Sequence, residues 1–70
     1  MVNTQLLDKY IVKSGLKIGY ICERLGITRQ AFRKKRLGLF PFKAAEIYVL
    51  CEILHITDDR DAIFIPKNVK

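Results

Sequence analysis

Glycines at positions 15, 26 and 38 cut the apolar pattern of this chain into short segments. Each segment has helical spacing, yet isolated helices below about 12–15 residues are marginal in water, because nucleation costs more than the first hydrogen bonds return. A chain cut this way must fold by packing several short helices together. Leu6, Leu7, Tyr10 and Ile11 form the first apolar stripe, with Asn3 or Thr4 able to cap its start and Gly15 after Ser14 suited to end it. Ile18, Ile21, Cys22 and Leu25 form the second, closed by Gly26. Thr28 can cap a third helix over Arg29 to about Arg36, and Gly38 and Pro41 punctuate its exit. A fourth helix is predicted from about Phe42 to Leu54, burying Ala44, Ile47, Leu50, Cys51 and Leu54. Thr57 or Asp58 then caps a short last segment to about Ile63, and Ala62 to Pro66 reads as helix, strand or partner-binding arm. The expected fold is all-α, a compact bundle of four to five short helices. It forms one domain over 1–70, with its core at about 4–60 and a tail at 61–70.

Half of the 70 residues are apolar, which is too many for a disordered basic tail and enough for one small core. No apolar run approaches the roughly 20 residues of a membrane span. The start, Met1 to Gln5, has neither the basic region nor the apolar stretch of a signal peptide, so a cytoplasmic location is expected. Cys22, Cys51 and His55 are too few and too scattered for a zinc site or a disulfide framework. The two cysteines read as core, His55 as a helix-end or surface residue, and Tyr20 and Tyr48 as rim packing. No nucleophile–base pair, paired carboxylates or phosphate-cradling glycine loop can be assembled, so neither catalysis nor a cofactor is expected. Asp58, Asp59 and Asp61 read as a cluster at a helix start, where negative charge is favourable.

The net charge of +6 is unevenly placed. Residues 13–43 hold nine Lys and Arg against Glu23 alone, a net of +8, whereas residues 44–61 are net −4. A concentrated positive patch attracts polyanions, nucleic acid first among them. The block spans two short helices joined by a tight turn at Gly26, which takes a positive φ at little steric cost. Leu25 and Ile27 flank the turn, and Phe32 plugs the second helix into the core. That arrangement matches a helix-turn-helix, whose second helix enters the DNA major groove. With Phe32 inward, Arg29, Gln30, Arg33 and Lys34 point away from the core. Arg suits guanine O6 and N7, and Gln suits adenine N6 and N7. Lys35 lies on the Phe32 side, but within the run Arg33 to Arg36 it reads as a solvated charge. Thr28, Lys17, Arg36 and Lys43 are placed for phosphate, beside the N-termini of the second and fourth helices.

Over roughly residues 4 to 60 the chain resembles the small phage repressor and Cro proteins, the λ-repressor-like helix-turn-helix family. The stretches I-C-E-R-L-G-I-T-R-Q-A-F and I-Y-V-L-C-E-I-L-H-I-T carry the likeness. It departs from the family's pattern at three places. Cys22 stands for the usual small alanine, Ile18 for a polar phosphate contact that Lys17 or Lys13 would take over, and Lys35 and Arg36 for a late apolar anchor. The resemblance implies a transcriptional regulator, usually a repressor, that binds a double-stranded DNA operator as a homodimer. It implies base reading by the first residues of the third helix, Arg29, Gln30, Arg33 and Lys34. Ile63, Phe64 and Ile65 are candidate dimer contacts, or Ile63 and Phe64 complete the monomer's own core. The alternative function is a protein-interaction module that modulates another repressor without reading DNA, using the acidic block and the apolar tail.

Overall fold

The computed structural model describes residues 2–65, and among them the chain is all-helical. Five helices follow in order: α1 (Thr4–Ser14), α2 (Ile18–Leu25), α3 (Arg29–Arg36), α4 (Ala44–Ile53) and α5 (Arg60–Phe64). Residues 66–70, the outer part of the expected tail, lie outside the described residues.

Local chemistry sets most of the helix ends. Asn3 caps α1 by accepting the Leu6 N–H at 3.1 Å, and Gly15 ends that helix in the left-handed region at φ 72°. Thr28 caps α3 by accepting the Ala31 N–H at 3.0 Å. Gly26, at φ 73°, reverses the chain after α2, and the N–H groups of Gly26 and Ile27 close back on the carbonyls of Glu23 and Cys22. The end of α4 uses the same closure with a residue less suited to it. His55 sits at φ 57°, donating its N–H to Glu52, while Ile56 donates to Cys51. An L-residue in that region costs about 1–2 kcal/mol, which is why glycine is usual at such ends.

The core gathers Leu7 and Ile11 of α1, Ile21 and Cys22 of α2, Phe32 of α3, Leu50 of α4 and Ile63 of α5, with Leu54 and Ile56 from the turn after α4. Each of the leucines, isoleucines and Phe32 among them contributes roughly 1.5–3 kcal/mol on burial. Helix α2 packs on both α3 and α4, and α1 packs on α5. Phe42 meets Phe32 on one side at 6.1 Å and Phe64 on the other at 5.6 Å, both edge-on, so it links α3 to α5 through one aromatic row.

Several expectations need correction. Ile18 and Ala44 are exposed rather than buried, because each opens its helix before the face that meets the core begins. The last helix starts at Arg60, later than a cap at Thr57 or Asp58 would set it. Asp59 instead accepts the Tyr10 hydroxyl at 2.7 Å, tying α1 to the start of α5. That bond, with the nearby acidic charge, keeps the Tyr10 phenol above its ordinary pKa. The core also runs past residue 60, since Ile63 is fully buried and its carbonyl accepts the Asn3 N–H at 2.7 Å.

The largest correction concerns Lys35, which is not solvated. Its Nζ lies 2.8 Å from both carboxylate oxygens of Glu46, the one buried charged residue among the described residues, and only 14% of its side chain is exposed. Glu46 also accepts the Lys43 N–H at 2.9 Å, so a single carboxylate holds α3 and fastens the first turn of α4. Burial pushes the Glu46 carboxyl up, but the Lys35 ammonium, the Lys43 N–H and both positive charges outweigh it and hold the pKa below the ordinary value. A depressed carboxylate stabilises the fold above its unfolded pKa, and that contribution disappears as pH falls through the folded value.

Three variants test these contributions to stability. Glu46→Gln should destabilise the domain by about 3 kcal/mol near neutral pH, the low end for a broken buried pair, since the flexible Lys35 stem can carry its ammonium to water. Lys35→Met/Glu46→Gln keeps an acceptor for the Lys43 N–H and should recover most of the loss. Urea titrations at neutral pH and below pH 4 should see the Glu46→Gln deficit shrink in acid. His55→Gly should raise stability by about 1 kcal/mol in the same titrations by removing the left-handed strain.

Candidate functional site

The basic block divides into side chains that hold the fold and side chains that face solvent. Phe32 is 1% exposed, and its burial fixes the rotation of α3. Lys35, three residues on, shares the inward face and is taken by Glu46. The outward side presents Gln30, Arg33 and Lys34, with Arg29 in the first turn three residues before Phe32, and all four are exposed. Among the described residues the ion pairs are Lys35 with Glu46, Arg36 with Asp8 and Arg60 with Asp61, so Arg29, Arg33 and Lys34 have no acidic partner there.

Arg36 was expected at phosphate, and the structure engages it elsewhere. Its Nη1 meets Asp8 Oδ1 at 2.9 Å, and its carbonyl accepts the Thr4 hydroxyl at 2.6 Å. Both partners lie on α1, four residues apart and so on one helical face. Arg36 therefore ties the end of α3 to α1. Lys17, Thr28 and Lys43 keep their expected places at the N-caps of α2, α3 and α4, and all three are exposed. Lys17 makes no side-chain cap, which leaves the first-turn N–H groups of α2 open to an anion. Thr28 spends a lone pair on its cap, and its hydroxyl proton can still be donated.

Beyond α3, Lys34 lies 5.9 Å over the Phe40 ring, in a turn where Leu37, Leu39 and Phe40 are 47%, 67% and 55% exposed. Phe40 also borders a groove of about 270 Å³ with Val2, Pro41, Phe42, Ile47 and Phe64. Of the expected dimer contacts, Ile63 is sealed in the core and Phe64 packs on Phe42, whereas Ile65 is exposed. Ile63 is thus withdrawn from any interface by its burial. The cysteines are free, and burial pushes both thiols above the ordinary value, against nearby Arg29 for Cys22 and Arg60 for Cys51. Among the described residues no helix is long and apolar enough to cross a membrane.

Sequence reasoning missed Glu46, Asp8 and Thr4 as partners of the basic block. A signal existed for Glu46, which stands three residues after the helix-capping Lys43, where a carboxylate reaches back to the cap N–H. Thr4 and Asp8 carried none, because their role depends on α1 crossing the end of α3. Comparison with protein families, with curated proteins and with solved structures finds no match for this chain.

Proposed function

We propose that the protein is a sequence-specific double-stranded DNA-binding regulator that lays α3 in the major groove. The observation that carries this reading is the outward face of α3, where long cationic and amide side chains stand exposed without acidic partners among the described residues. Gln30, Arg33 and Lys34 read base edges. A bidentate Arg33 on guanine and Gln30 on adenine suit the donor and acceptor pattern of that groove. Lys17, Thr28 and Lys43 bond phosphates from the N-termini of α2, α3 and α4, setting register without reading sequence. Likeness to the phage repressor and Cro proteins supports the same assignment and the same habit of repressing by occupying an operator.

The protein acts as a homodimer on a near-palindrome with half-sites about 10 bp apart, one helical turn. Phe40 and Ile65, both more than half exposed, supply apolar contacts for it, with Phe64 at the groove beside Phe40, although Val12, Leu39 and Tyr48 are also exposed. Phe40→Glu should reduce the sedimentation mass to that of the monomer and leave the helical circular dichroism unchanged.

Selection from random duplex DNA tests the reading directly, and one enriched motif is the expected result. Arg33→Ala should relax preference at one base pair of that motif by about 1–3 kcal/mol. Lys43→Ala should weaken all duplexes alike and reduce the slope of log K against log salt by about one. Recovery of no motif at moderate salt would instead favour a role in binding another regulator.

A further inference from the structure

Gly19 is the second residue of α2, in its first turn, and glycine forms helix less readily than alanine. Its φ is not in the left-handed region, so no turn requires it. What a side chain at this position would meet lies in α3. A Cβ built at Gly19 would stand 2.7 Å from Arg29 Nη2, 3.5 Å from Cζ and 3.7 Å from Nε. The guanidinium therefore occupies the space that a side chain would fill. Gly19 and Cys22 are three residues apart on one face of α2, and the nearby Arg29 charge partly offsets the effect of burial on the Cys22 thiol.

We propose that Gly19 is a positioning residue, whose bare Cα seats the Arg29 guanidinium on the first turn of α2 and makes Arg29 a phosphate clamp. Its position at the start of α3 had suggested a base contact. The proposal rests on the DNA reading above. In a helix-turn-helix the first helix of the pair crosses the DNA backbone while the second enters the groove. A guanidinium drawn back onto α2 is therefore held at the backbone. There it stands against Gly19 in the first turn of α2, whose leading N–H groups have no side-chain cap. Arg suits this place because its planar fork meets two phosphate oxygens at once. Base reading then falls to Gln30, Arg33 and Lys34 alone.

The test uses the full chain with two probes, a random-sequence duplex pool and the duplex that the wild type enriches from it. Arg29→Ala should weaken both by the same factor and lower the salt slope by about one, leaving the enriched motif unchanged. Gly19→Ala should hold or raise Tm, because only the far end of a flexible side chain must move and alanine favours the helix. It should also weaken both duplexes alike, and in Gly19→Ala/Arg29→Ala it should add nothing to the loss from Arg29→Ala. An NMR contact between the Gly19 Hα and the Arg29 Nε–H in the free protein reports the seat independently of DNA. The proposal is overturned if Arg29→Ala changes preference at one base pair with the salt slope intact, if the two losses add in full, or if the NMR contact is missing. A present NMR contact with no selective duplex binding would sink the DNA reading and leave the seat standing.

Discussion

Helix α3 carries five positive charges in eight residues and offers the core one large apolar side chain, Phe32. Left to itself such a segment repels its own turns and has little reason to stay on a hydrophobic surface. Two attachments supplement the phenylalanine. Glu46 holds Lys35 from α4, and Asp8 holds Arg36 from α1, so the end of the helix is bound on two sides. Its basic last turn also lies at the negative end of the helix dipole, which eases the repulsion there. The outward set can stay basic because these attachments keep the helix in place.

The charge block is therefore not a uniform patch. Lys35 and Arg36 are spent inside the protein on acidic side chains from α4 and α1. Those acids come from outside the block, which is why its net of +8 overstates what is free to meet a partner. The cations that remain gather at the start and outer face of α3 and at the N-caps of α2 and α4. For the proposed DNA reading this sorting matters, since phosphate and base contacts need cations at fixed places more than they need total charge. The Glu46 carboxylate joins both roles. It anchors the helix proposed to read bases and fastens the Lys43 N–H at the helix start proposed to meet phosphate.

Most of the fold was legible because its determinants are local. Stripe spacing and caps predicted four helices and a short last segment left between helix, strand and arm, and Asn3, Gly15, Gly26 and Thr28 act at the ends where their side chains or backbone freedom would place them. The outward face of α3 was equally plain for Gln30, Arg33 and Lys34 once Phe32 was taken as the plug, whereas 3.6 residues per turn bring Arg29, three residues before Phe32, round towards α2. The errors fall where a residue's fate depends on a distant partner. Arg36 looked free because Asp8 is 28 residues away, and Lys35 looked solvated because Glu46 is on another helix. Ile63 could have served either an interface or the core until α1 and α5 were seen to pack.

The sequence by itself thus determined the helices, their turns, and which face of α3 is polar, since periodicity and capping act over four residues or fewer. It also determined that positive charge is concentrated in one block. Which of those charges face outward was decided only by the tertiary structure. Whether a lysine is a surface cation or a buried tie depends on finding a carboxylate within hydrogen-bond reach, and only packing brings α3 to α1 and α4. The same is true of Gly19, an unexplained weak point in a helix until the Arg29 guanidinium is found in the space it leaves.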